Sequence, residues 1–378
     1  MDKISVAKCH EYSDTEVQAA VDRAVNALGG LESIIKPGDR VFLKLNLLMK
    51  KRPEEAVTTH PAVVKAVAKK LVKLGAHVVI GDSPGGPFNK TILNGIYRQC
   101  GIEEVAKELN VELNYNTEVI NVSFPDGEVV KQFSLCKAMV ETDKLVSLSK
   151  LKTHGMTRFT GAVKVMFGAI PGLEKAEYHF RMPGIKEFSN MLVDLALATK
   201  PCFHLVDGVV GMEGEGPSGG KPKDLGVLIA GFNPFAVDAV AVKVAGIDPL
   251  SVPTVVRAKE RKLPWSLEHV DLVGDNISFP VAKFEVPEIR REARFPFPTG
   301  INNFLEQYLS PKPVFSRDIC SKCGHCVHSC PPKILKMGEN NPELDIDKCI
   351  RCFCCQELCP EKAVEIKRSL LGKLIFNK

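Results

Sequence analysis

Residues 40–86 read RVFLKLNLLMKKRPEEAVTTHPAVVKAVAKKLVKLGAHVVIGDSPGG, and this stretch decides the architecture of the first 275 residues. An apolar run, Arg40 to Leu45, ends at Asn46. Thr59 stands where a helix cap is favoured, Pro61 follows in the first turn, and Gly75 stops the helix. A second apolar run, Ala76 to Ile80, then opens into a turn rich in Gly and Pro. Strand, helix, strand in that order is the unit of a parallel sheet, because parallel neighbours need a long crossover, usually a helix.

The same alternation continues outward. Lys3 to Lys8 reads as a first strand, and Asp14 to Leu28 as a helix stopped by Gly29-Gly30. Two helices fill 89–110. Lys144 to Leu148, Phe203 to Val206, Leu225 to Ala230 and Val270 to Val273 read as strands. Thr160 to Phe167 and Phe235 to Ala245 read as helices. Val111 to Leu135 differs: it alternates, and Asp126-Gly127 is a hairpin signal. The expectation is an α/β domain over residues 1–275, with a mostly parallel, mixed sheet covered by helices. A linker that docks on the surface follows at 276–312, where Phe295, Phe297, Phe304 and Tyr308 call for burial. A small α+β ferredoxin-like domain is expected at 313–368, and a tail at 369–378.

The composition, 45% apolar and 25% charged over 378 residues, is that of a soluble globular chain. A net charge of +5 does not argue for nucleic acid. Met1 to Ala20 is charged throughout and shows no export signal. The most apolar long stretch, Leu225 to Ile247, is broken by Asn233, Pro234, Asp238 and Lys243, so it reads as strand plus helix rather than a membrane span of ~20 residues. Neither nucleic acid nor membrane is therefore expected as a partner.

Nine of the thirteen cysteines lie between Cys320 and Cys359. Clustered thiols without an export signal point to metal binding in a reducing cytoplasm rather than to disulfides. They form two copies of one pattern, Cys-x2-Cys-x2-Cys-x3-Cys-Pro: Cys320, Cys323, Cys326, Cys330, Pro331, and Cys349, Cys352, Cys355, Cys359, Pro360. Three cysteines at this spacing can wrap a 4Fe–4S cubane in one loop. In the bacterial two-cluster pattern the fourth ligand comes from the other motif. One cluster then takes Cys320, Cys323, Cys326 and Cys359, and the other Cys349, Cys352, Cys355 and Cys330. Zinc is the alternative, but its sites use two separated Cys or His pairs. Cys354 reads as a packed extra thiol, and His325 and His328 as solvent-facing. Lys322, Lys348 and Arg351 put positive charge nearby. The region resembles bacterial two-cluster ferredoxins, which implies low-potential electron transfer and a ferredoxin-like donor or acceptor protein.

In open α/β sheets ligands bind beyond the carboxyl ends of strands. The polar residues after the apolar runs are Asn46, Asp82-Ser83, Lys152 and His154, Asp207, and Asn233. Their common position suggests a polar pocket. Residues 81–87 could offer backbone N–H groups to an anion, and Glu213 to Lys221 forms a second glycine-rich loop, either a lid, an ion site or a surface turn. A helix from Thr160 would aim its N–H groups at the pocket, where Lys152 and Lys164 would favour a carboxylate or phosphate. His154 and His179, the latter read in a loop after Lys175 and Tyr178, are the acid/base candidates.

The runs Leu151-Lys152-Thr153-His154, Thr160 to Gly168, Val206-Asp207-Gly208, Met212 to Pro217 and Asn233 to Ala239 together resemble the domain-of-unknown-function 362 family of iron–sulfur-associated proteins. The resemblance implies an α/β domain, often joined to a ferredoxin-like one, and carries no reaction with it. It adds weight to Lys152, His154, Lys164, Asp207, Glu213 and Asp238 as site residues. The expected function is an oxidoreductase passing electrons through two 4Fe–4S clusters to an anionic substrate or cofactor. The alternative is an electron carrier or metallocofactor-assembly accessory protein without catalysis of its own.

Overall fold

The computed structural model describes residues 1–287 and 310–367. The four aromatic residues of the expected linker and the tail from 369 lie outside the described residues. Eleven strands precede residue 287: β1 (Asp2–Lys8), β2 (Arg40–Lys44), β3 (His77–Gly81), β4 (Glu112–Leu113), β5 (Val119–Ser123), β6 (Gln132–Cys136), β7 (Lys144–His154), β8 (Arg158–Thr160), β9 (Phe203–Glu213), β10 (Lys221–Gly231) and β11 (Val270–Gly274). One sheet runs β11-β1-β10-β9-β7-β2-β3-β4, with β8 folded back on β7. It is a mixed, mostly parallel sheet: β10 runs antiparallel to β1 and β9, while β7, β9, β2, β3 and β4 run parallel.

Both faces are covered, as a parallel sheet requires. Helices Asp14–Ala27, Pro61–Lys73, Lys90–Gln99 and Ile102–Leu109 bury their apolar stripes on one face. On the other, helices Ile185–Thr199 and Pro234–Val244 pack against two further cores. The Val111 to Leu135 stretch yields the separate hairpin β5–β6. The buried carboxylate of Asp194 pins the loop of that hairpin, accepting the N–H groups of Glu128, Val129 and Val130 at 2.8–3.0 Å.

Several local readings change. β7 continues past Leu148 to His154, because β8 and β9 extend its ladder on both sides. Thr59 does not cap the helix at Pro61. His60 does, accepting from the Ala62 N–H, while the Thr59 hydroxyl bridges Asn46 N–H and the Leu148 carbonyl. Thr160 ends β8, and only Ala162–Val165 is α-helical there, followed by a 3-10 turn. Lys175 to His179 lies in a helix, Glu174–Arg181, not in a loop.

The cysteine-rich part has its own small core. Strand β12 (Lys312–Phe315) pairs antiparallel with β15 (Val364–Lys367), and β13 (Leu335–Met337) with β14 (Pro342–Leu344). Each cysteine motif contains one helical turn, His325–His328 or Cys354–Glu357, and each turn follows a left-handed residue, Gly324 or Phe353. The sequence duplication is thus repeated in the backbone.

Candidate functional site

Among the described residues no three Cys, His, Asp or Glu side chains close on a point that would hold one ion. The thiols instead ring two cavities. Cys320, Cys323, Cys326 and Cys359 line one of about 330 Å³. Cys330, Cys349, Cys352 and Cys355 line the other, of about 320 Å³. These are the two crossed sets, and four thiols around a void fit a polyatomic cluster. Burial pushes the Cys326 thiol up to about 11 and raises Cys349, Cys355 and Cys359 as well. A bound metal reverses that tendency, since coordination holds the thiolate. Cys354 is buried and also lines the second cavity, while His325 and His328 are exposed.

The carboxyl ends of β2, β3 and β7 form one rim. On β2, Lys44 pairs with Asp82 at 2.6 Å, and both side chains are inaccessible or nearly so. Asp82 also accepts the N–H groups of Leu47 and Ser83. On β7, alternation puts Lys150, Lys152 and His154 on one face. Lys150 pairs with Asp207 at 2.9 Å, both with no exposed side-chain surface. Tyr12 completes this network: its hydroxyl donates to Asp207 at 2.8 Å and accepts from Lys150, and its ring stacks on His60 at 3.5 Å. Lys152 donates to the Val57 carbonyl at 2.6 Å. Burial first, then the neighbouring Lys164 and Lys150 ammonium groups, holds Lys152 well below the usual lysine range. The Nδ1 of His154 accepts the Met156 N–H at 3.0 Å, so the neutral ring carries its proton on Nε2.

Not every expected residue reaches this rim. Asn233 stands at the opposite end of the sheet, because β10 is antiparallel. There it caps the following helix and donates to Asp2, at the start of β1. At the start of the helix at Ala162, Asp238 accepts the N–H groups of Ala162 and Val163, so these two are not offered to the rim. Burial pushes that carboxyl up to about 7, the two N–H groups opposing the rise. Glu213 pairs with Lys223 and accepts the Glu285 N–H, tying down the 281–287 segment. In the 81–87 turn the Ser83 N–H goes to Asp82 and the Gly85 N–H to the Leu48 carbonyl, so these two are not offered to an anion.

The ferredoxin-like part sits on the rim. Ser218, in the second glycine-rich loop, donates to the Glu357 carbonyl at 2.7 Å, and Gln356 donates to the Glu215 carbonyl at 3.3 Å. That loop is therefore a docking element, not a lid. Lys51 donates to the Pro360 carbonyl at 2.9 Å, and Gly85 packs so tightly on the Leu358 side chain that a Cβ there would clash with it. His154 Nε2 lies 3.6 Å from Glu357 Oε1.

Between the two parts lies a cleft of about 450 Å³. Lys164, Phe167, Lys175 and His179 line one wall, and Cys354, Glu357 and Leu358 the other. Cys354 lines both this cleft and the second thiol cavity. Lys175 donates to Ser83 at 3.0 Å, and burial lowers it to about 8. His179 stacks on Phe188 at 4.5 Å. Of the residues expected from sequence, Lys164 and His179 face this cleft, Ser83 positions Lys175, and Lys152 lies behind. Lys44, Lys150, Tyr12 and Glu357 were not among the expected site residues. A period-two step back from Lys152 would have found Lys150.

Thiol-ringed cavities in a ferredoxin-like fold define an iron–sulfur electron-transfer protein. Residues 312–360 match the 4Fe-4S dicluster domain, and residues 41–243 match the domain of unknown function DUF362. The chain belongs to the DUF362 family. It is 30% identical over 321 residues to the thylakoid-associated protein sll1697 of Synechocystis sp., covering 81% of this chain and 94% of that protein. The lactate racemase apoprotein of Thermoanaerobacterium thermosaccharolyticum aligns at 18% identity and a TM-score of 0.39, over 61% of this chain and 54% of that one.

Proposed function

We propose that the chain is an oxidoreductase that delivers single electrons to an anionic substrate or cofactor in the cleft. Two 4Fe–4S clusters, when bound, supply low-potential one-electron transfer. Cys320, Cys323, Cys326 and Cys359 would hold one, and Cys330, Cys349, Cys352 and Cys355 the other. The observation that carries this reading is Cys354, which borders both the second thiol cavity and the cleft.

Lys164 and Lys175 supply positive charge to the ligand. Ser83 fixes Lys175, and Asp82 with Lys44 fixes the turn that carries Ser83. His179 stands in the cleft wall as the proton donor, and His154 with Glu357 holds a second proton beside it. Lys152 acts from behind as a positioning group, and Asp207, Glu213 and Asp238 serve the fold around the site. A ferredoxin-like protein exchanges electrons at the first motif, where Cys323 is exposed. That exposure also favours the second reading, an electron carrier whose partner never uses the cleft. All thirteen cysteines are free of disulfides, which suits a reducing cytoplasm. Among the described residues no helix is long and apolar enough to cross a membrane.

The test is anaerobic purification, assay of iron, sulfide and organic cofactors, and redox titration with and without candidate anions. An anion that shifts a cluster potential in the parent but not in Lys164→Gln supports the enzyme. Potentials that respond only to a protein partner support the carrier. Lys152→Ala and His154→Ala should impair binding or turnover with cluster content unchanged; parental behaviour in both removes them from the site.

A further inference from the structure

We infer that the cleft takes a small monocarboxylate with an apolar or aromatic body. This deepens the electron-transfer reading, and rests on it only for what happens to the ligand once bound.

The two cleft lysines differ in how many of their donors are already used. Lys175 has three N–H groups and three acceptors, Ser83 Oγ at 3.0 Å, the Pro84 carbonyl at 3.3 Å and the Ile170 carbonyl at 2.6 Å. It contributes charge but no further hydrogen bond. Lys164 is the reverse. Its ammonium has no hydrogen-bond acceptor among the described residues; it lies over the Phe167 ring, 5.7 Å from the centroid, with the Glu357 carboxylate near enough to act on its charge. A half-buried ammonium beside a second cation is costly unless an anion joins it. Burial lowers Lys164 from the usual lysine range, with the Glu357 carboxylate opposing the shift and the nearby Lys44 adding to it.

Charge sets the ligand's valence. Two ammonium groups face one carboxylate, Glu357, across the cleft. A single negative charge balances that excess. A phosphate dianion or a dicarboxylate would leave negative charge facing Glu357. The lining also contains no arginine, the residue suited to bidentate phosphate recognition. Two of the glycine N–H groups in the lining are also taken, that of Gly85 by the Leu48 carbonyl and that of Gly172 by Ser83.

Shape sets the body. Beyond Lys164 the walls are Leu48, Phe167, Leu173 and Leu358. These four side chains give the body of a ring or a short chain an apolar surface to lie against. Apolar walls around one charged anchor are the usual design of a small-molecule site.

The test is isothermal titration of the intact, anaerobically purified chain with benzoate, hexanoate, succinate and inorganic phosphate. Benzoate or hexanoate should bind at least tenfold more tightly than succinate or phosphate. Lys164→Gln should weaken them at least tenfold with cluster absorbance unchanged, and Leu173→Asn should weaken them more than it weakens phosphate. Tighter binding of phosphate or succinate overturns the inference, as does parental benzoate affinity in Lys164→Gln, or no carboxylate binding at all. The two readings separate in one further experiment. Carboxylate binding that leaves both cluster potentials unmoved sinks the electron-transfer role and keeps the monocarboxylate site. Potentials that move with phosphate alone do the opposite.

Discussion

The imidazole of His154, at the end of β7, meets the carboxylate of Glu357 at 3.6 Å across the boundary between the α/β and ferredoxin-like parts. His154 is wholly buried, and Glu357 nearly so. The same residue holds the docking loop through its main-chain carbonyl, bonded to Ser218. Glu357→Leu removes the side-chain contact and keeps the main-chain one. The expected outcome is faster hydrogen exchange in residues 214–218 with iron content unchanged. Parental exchange there would mean that the carboxylate takes no part in docking.

The Lys150–Asp207 pair is buried on both sides and shared with Tyr12. Removing one partner strands the other charge, a loss of about 3–5 kcal/mol. Asp207→Leu should therefore lower the urea midpoint sharply. The Lys150→Met/Asp207→Leu double variant should recover part of it, because no charge is left unpaired. A double variant that simply sums the two single losses would contradict this account of the pair.

Acid stability follows from two imidazoles. Burial lowers His60 to about 4 and His204 to about 3, against an ordinary value of 6.5. Below pH 6.5 the unfolded chain binds protons that the folded one refuses, so stability rises with pH in this window. It is complete above about 6.5 and is lost as pH falls toward 4 and then 3. His204→Leu should flatten this acid limb in urea titrations between pH 7.5 and 4.5. The same slope in parent and variant would show that His204 does not contribute.

What the sequence discloses depends on how local the physics is. The 4Fe-4S dicluster domain was legible because cysteine spacing along the chain already approximates the wrapping of a cluster. The parallel sheet was legible because residues 40–86 carry strand, helix and strand in order. Strand direction was not. Leu225 to Ala230 looks the same whichever way it runs, and the hairpin from β9 to β10 sends Asn233 to the far edge. Residue type also failed to separate tasks. Asp238 and Lys164 are both charged and both near the helix at Ala162, but Asp238 is spent on backbone N–H groups while Lys164 is left to the cleft. Glu357 was beyond reach, since its role exists only once two distant segments dock.

The central claim is that the cleft borders the cavity of Cys330, Cys349, Cys352 and Cys355, and not the other. It is tested most directly by the two cluster midpoint potentials in Lys164→Glu, with no ligand needed. Replacing a cation by an anion disfavours adding an electron nearby, and at close range in a partly buried site this amounts to roughly tens of millivolts. The account predicts that one potential falls by this much and the other stays within error. Two equal shifts, or none, would contradict it.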